Sequence, residues 1–200
     1  MNILVDLLPK EVTINNKKYK INSDFRISIL FEILMQDNSV INEDKIGLAL
    51  NLYYYEVPPK KYWQEAVEKM LWFYRCGKDI YSSKKNGKGN GATQIYSFEH
   101  DDDYIYAAFM DQYNLDLQDI DYLHWWKFKA MFKSLKEDNE IVKIMKYRSI
   151  DLSKIKDKEQ KAYYKEMKNL YKIPISKDEE IKLKEIEEAL LNGGDLSKLL

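Results

Sequence analysis

Large apolar and aromatic side chains recur at three- and four-residue intervals along most of this chain, the spacing that gathers them on one face of an α-helix. The segment 63–74 shows it most clearly. Trp63, Ala66, Val67, Met70, Phe73 and Tyr74 fall at i, i+3, i+4 positions, and Gly77 follows as a helix-terminating glycine. The same pattern predicts a helix from Asp24 to about Asp37-Asn38, carrying Phe25, Ile29, Phe31, Ile33 and Leu34. A second, from Asn42 to Tyr55, carries Ile46, Ala49, Leu50 and Tyr53 on one face; Pro58-Pro59 stops it and Pro59 seats the next. Further helices are expected over 98–113, 117–135, 139–147 and 158–171, the last opened by Asp157 with Gln160 three residues on. Ser176 with Glu179 repeats that capping pattern before a charged terminal helix to about Leu191. The one clear strand signal lies at 11–22, where two β-prone runs flank Asn15-Asn16 and asparagine accepts the positive φ of a tight turn. The expected fold is therefore mainly α, a multi-helix bundle with a short N-terminal β-hairpin.

Residues 82–94 hold three of the seven glycines and no large apolar side chain, and read as a mobile surface linker. This divides the chain into an N-terminal β-hairpin and helical subdomain (1–81), a linker (82–95), a helical subdomain (96–173) and a C-terminal amphipathic helix and tail (174–200). At the N-terminus Asp6 and Pro9 cut the apolar run too short for a secretory or membrane segment, so a cytoplasmic protein is expected.

Composition removes whole classes of chemistry. The 32 basic and 33 acidic residues leave a formal charge of −1, without the cationic excess that non-specific DNA binding draws on. One cysteine, Cys76, rules out an internal disulfide framework, and two histidines, His100 and His124, leave little material for imidazole metal sites. Only Arg26, Arg75 and Arg148 are arginine, so the surface is dressed mostly in lysine, which lacks the planar fork for bidentate recognition.

Individual motifs weigh against catalysis. Gly87-Lys88-Gly89 has Ser82 where a phosphate loop needs its first glycine, and Gly89 where it needs Ser or Thr. Glu99-His100-Asp101-Asp102-Asp103 fans around a helix axis instead of converging on a metal; acids in a first turn, with Ser97 as N-cap, suit the helix dipole. His124 and Cys76 lack partners at catalytic spacing and read as structural. No catalytic residue, cofactor or metal is expected, and the chain reads as a binding protein, not an enzyme. Within Tyr122–Phe128, Trp125 joins Phe128, Phe132 and Leu135 on a core face, while Trp126 lies with Tyr122, Lys129 and Lys133 on a more polar one. Adjacent tryptophans point about 100° apart, so one is open to meeting a partner, with packing between subdomains an equal alternative; Tyr122, Trp126 and Lys129 are candidate contacts. Residues 127–172 carry fourteen basic against seven acidic residues, interleaved with Tyr147, Tyr163, Tyr164 and Tyr171, which keeps nucleic acid as an alternative ligand.

Four segments together carry a resemblance: Tyr96–Asp101, Tyr104–Phe109, Leu123–Phe128 and Tyr147–Leu152. They resemble phage and prophage proteins labelled "gene product fifteen", with similarity from the hairpin to about Tyr171. The resemblance implies a protein encoded in the tail-morphogenesis cluster, near the tape-measure gene. It further implies a role like that of a tail assembly chaperone in the bacterial host cytoplasm, with the tape-measure protein and other tail proteins as partners and self-association as an option. It implies no catalytic residues. For shielding a long helical partner, the stripe Leu183, Ile186 and Leu190 of the terminal helix joins Tyr122, Trp126 and Lys129 as candidate contacts. The alternative is a nucleic-acid-binding phage regulator using the basic 127–172 segment.

Overall fold

A computed structural model of the chain describes residues 2–78 and 94–174. Most of the linker segment 82–95 and nearly all of 174–200, including Leu183, Ile186 and Leu190, lie outside the described residues.

Strands β1 (Glu11–Ile14) and β2 (Lys17–Lys20) pair antiparallel, Val12 opposite Tyr19 and Ile14 opposite Lys17. Asn15 and Asn16 take φ of 45° and 60°, the two positive values that a two-residue turn matching strand twist requires. Val12, Ile14 and Tyr19 point inward and Lys18 and Lys20 outward, so this hairpin survives by laying one face on the helices.

Helix α1 (Phe25–Gln36) is capped by Asp24, whose carboxylate accepts from the backbone N–H of Arg26 at 3.0 Å. Helix α2 (Asn42–Tyr53) buries Ala49, Leu50 and Tyr53 as the spacing predicts, but Ile46 faces solvent. Lys45 is buried in its place, because its ammonium reaches back to the Met35 carbonyl in the last turn of α1 at 3.1 Å. After Pro58-Pro59 and a 3-10 turn at Lys60–Tyr62, helix α3 (Trp63–Tyr74) ends with Cys76 and Gly77 both left-handed. Gly77 is required there. A β-carbon would sit 2.8 Å from the Trp126 ring at a φ of +70°.

Beyond the undescribed stretch come α4 (Asp102–Tyr113), α5 (Trp125–Lys133), α6 (Glu140–Ser149) and α7 (Lys158–Leu170). Asp157 caps α7 by accepting from the Gln160 N–H at 2.7 Å. Two helix starts differ from the sequence expectation. The residues 98–101 form a turn, with Ser97 Oγ accepting from Glu99 and His100, and α4 begins only at Asp102. Residues 117–124 are not helical either. Asp116 accepts from the N–H groups of Gln118 and Asp119, the Arg26 guanidinium donates to the carbonyls of Leu117 and Ile120, and 123–125 run extended beside 23–25. There Phe25 N–H donates to the Leu123 carbonyl at 2.9 Å and Trp125 N–H to that of Ser23 at 2.8 Å. Tyr122 and His124 therefore precede α5 instead of lying on it. Tertiary hydrogen bonds have outcompeted local helix formation.

Residues on both sides of 79–93 build one hydrophobic cluster. Phe128 of α5 stacks on Phe25 of α1 (4.8 Å between centroids) and on Phe109 of α4 (4.9 Å). A bidentate ion pair closes the other end: Arg148 of α6 donates to the Asp101 carboxylate at 2.5 and 2.9 Å, and to the carbonyls of Ile95 and Tyr171. Among the described residues no helix is long and apolar enough to cross a membrane.

Candidate functional site

Helices α1 and α4 do not close over α5, and the space between them is a groove of about 590 Å³. Phe25, Phe98, Ile105, Leu117 and Phe128 are buried and form its floor, while Ile29 and Leu30 of α1 and Tyr106 of α4 form its walls. Leu30 is 48% exposed, a large apolar side chain on a wall that no described residue covers completely. The rim is charged. Asp102 and Asp103 stand exposed in the first turn of α4, and Arg26, Gln118 and Tyr106 complete the lining. The Tyr106 hydroxyl hydrogen-bonds the Asp116 carboxylate, which raises the phenol pKa, while the acid is lowered first by the Gln118 backbone N–H and then by Tyr106. A groove with an apolar floor and a polar edge is of the shape and chemistry that receives the side chains of a partner.

Of the candidate contacts singled out by sequence, Tyr122, Trp126 and Lys129 are described, and each has its own surroundings. Tyr122 is half-exposed, its hydroxyl 2.7 Å from Ser23 Oγ and the Lys10 ammonium 5.0 Å from its ring centroid. Trp126 is only 3% exposed, and its indole N–H donates to the Phe73 carbonyl at 2.8 Å. Of the two alternatives for the adjacent tryptophans, packing between the two parts of the chain holds: Trp126 lies against Trp72 and Phe73 and is not exposed as the partner contact its sequence position suggested. Trp125 donates to the Tyr74 carbonyl at 2.8 Å and is fully buried, so α5 is wrapped on both faces. Substituting Trp126 would damage the fold before it touched any partner. Lys129 lies half-buried, its ammonium 4.8 Å from the Trp125 ring and 3.4 Å from the Tyr96 hydroxyl. Burial lowers its pKa against the opposing pull of Glu32. Glu32 in turn accepts from Tyr74 at 2.6 Å, and burial, then the Glu32 charge, pushes both the Tyr74 and Tyr96 phenols well up. The Cys76 thiol beside this cluster is also pushed up by burial, against the nearby lysines, and is held as a thiol instead of a thiolate.

His124 is 2% exposed and caps α5, its Nδ1 accepting from the Trp126 N–H at 3.1 Å. Its Nε2 lies 3.0 Å from the Pro9 carbonyl and so carries the proton. Asp101 is committed to Arg148 and Asp102 and Asp103 to the groove rim, so the acidic run 99–103 does not converge. Among the described residues no group of three or more His, Cys, Asp or Glu is placed to hold a metal. In the basic segment, Tyr147, Tyr163, Tyr164 and Tyr171 do meet: Tyr147 stacks on Tyr171 at 5.8 Å, and Tyr163 and Tyr164 pack at 5.4 Å. Tyr147, Tyr163 and Tyr164, with Lys143 and Lys146, edge a hollow of about 260 Å³. Lys143 is already paired with Glu140 at 3.1 Å.

The groove walls were missed by sequence reasoning, although a signal existed. Helix α1 carries apolar residues all around (Ile27, Ile29, Leu30, Phe31, Ile33, Leu34, Met35), more than one buried face can absorb. Residues 4–173 match the family model described as Bacteriophage Gp15 protein. No curated protein and no solved structure matches the chain.

Proposed function

The chain belongs to the bacteriophage Gp15 family, and from that premise we propose that it is a non-enzymatic tail-morphogenesis protein that acts in the host cytoplasm as an assembly chaperone for the helical tape-measure protein. The α1–α4 groove carries this reading. A tape-measure chain presents long apolar helical faces that aggregate unless covered, and a helix laid along an apolar groove hides its stripe while its polar side stays wet. Many weak contacts along a long partner then add up through multivalency, so no single site need be tight. Tyr122 and the stripe Leu183, Ile186 and Leu190 stand as further contact candidates on the same reading.

Co-expression with the tape-measure protein tests it. The wild-type chain is expected to raise the soluble fraction of the partner several-fold, and Leu30→Lys, a substitution at an exposed position, to remove the gain while leaving the fold intact. Unchanged partner solubility with and without the chain would refute the chaperone role. The tyrosine and lysine cluster of α6 and α7 supports a second reading, a nucleic-acid-binding regulator, which would instead shift single- or double-stranded DNA with an affinity falling steeply between 50 and 200 mM salt.

A further inference from the structure

We propose that the occupant of the α1–α4 groove is an amphipathic helix whose apolar stripe is bordered by lysine or arginine, an inference that rests on the groove being a helix-binding site. The charge around the groove is one-sided. Residues 99–121 contain no lysine or arginine and, besides Asp101, which is buried against Arg148, seven carboxylates (Glu99, Asp102, Asp103, Asp111, Asp116, Asp119 and Asp121). Asp102 and Asp103 line the rim itself, Asp116 is bonded to the wall residue Tyr106, and Asp119 follows Gln118. Arg26, the one cation among the described lining residues, is spent. Its guanidinium donates to the Asp24 carboxylate at 3.3 Å and to the carbonyls of Leu117 and Ile120 at 2.8 and 2.9 Å. A helix entering the groove thus meets apolar side chains at the centre and uncompensated negative charge at the edge.

A partner with acidic flanks would bring like charges together within a few ångströms, well inside the Debye length at physiological salt. One with basic flanks is steered in and held in register. Lysine suits this rim better than a neutral polar residue, because its methylene stem covers the apolar margin while the ammonium reaches the carboxylates.

Two fluorescently labelled helical peptides with the same leucine stripe at i, i+3, i+4, i+7, one flanked by lysine and one by glutamate, provide the test. Anisotropy titrations with the full chain should show the lysine peptide binding about tenfold tighter at 50 mM salt, with the preference shrinking at 300 mM. The double variant Asp102→Lys/Asp103→Lys should reverse the preference, and Leu30→Lys should weaken both peptides, the lysine peptide more because the new ammonium repels it. Equal binding of the two peptides, lost on Leu30→Lys, would overturn the charge inference and leave the groove reading standing. Binding of neither, or binding indifferent to Leu30→Lys, would overturn the groove reading itself.

Discussion

At the scale of single residues, the informative side chains are those whose polar atoms are buried with one partner each. Trp126 fills the space beneath Gly77, packs against Trp72 and Phe73, and spends its only donor on the Phe73 carbonyl. Trp126→Ala should therefore cost about 3–5 kcal/mol of stability, read as a lower midpoint in urea, whereas a surface contact would leave the midpoint unmoved. His124 gives a pH dependence whose sign follows from its bonds. Its cap works only while Nδ1 is bare, and burial holds its pKa below the ordinary 6.5. The unfolded chain binds a proton more readily, so the stability this residue contributes is complete above about pH 6.5 and is lost as pH falls through and below that value. His124→Asn, which keeps a capping acceptor without a titratable ring, should flatten the fall in thermal midpoint between pH 7.5 and 5.5 relative to wild type. An equally steep fall in both proteins would assign the acid sensitivity to carboxylates elsewhere.

At the scale of elements, the connections that tie helices together are polar and long-range. Arg148 links the C-terminal end of α6 to Asp101 at the head of α4 and to the Tyr171 carbonyl just past α7. Arg148→Met would strand a buried carboxylate and should cost about 3–5 kcal/mol. The added change Asp101→Asn should return a good part of that, so that a double-mutant cycle shows strong coupling. Such links explain what could and could not be read from the chain. The hairpin, the Asp157 cap and the end of α3 at Gly77 were legible because each is decided within four or five residues by turn or cap chemistry. The late start of α5 was not. Leu117–Leu123 has no local reason to avoid a helix; it is held open by Arg26, some ninety residues upstream, and by the extended pairing of 123–125 with 23–25. Helical spacing likewise placed Trp125 and Trp126 on diverging faces correctly, but whether both faces are covered depends on what α1, α3 and α4 do around them. The groove stayed hidden for the same reason, since it is the gap left between two helices that sequence places far apart.

At the scale of the whole molecule, the decisive fact is that the segments before residue 79 and after residue 93 do not keep separate interiors. The indoles of Trp125 and Trp126 donate to the last carbonyls of α3, Phe128 is sandwiched between Phe25 and Phe109, and Asp24 and His124 share a backbone bridge. Removing either side would expose most of the aromatic core of the other, at a cost far above the few kcal/mol by which domains are stable. Unfolding should accordingly be one cooperative transition across residues 2–78 and 94–174. The four tryptophans make this measurable, because Trp63 and Trp72 report on the first side and Trp125 and Trp126 on the second. In urea, a variant retaining only the first pair and a variant retaining only the second, each with phenylalanine at the other two positions, should each show fluorescence and far-UV circular dichroism with coincident midpoints. Substituting Trp125 and Trp126 will lower the stability of its variant, so the comparison is between probes within one protein, not between proteins. A fluorescence midpoint that separates from the dichroism midpoint in either variant would mean that one side unfolds while the other persists. In that event 1–81 and 96–173 would be independent folding units despite the contacts between them, and the α1–α4 groove, whose floor is drawn from both, would open and close with the looser of the two.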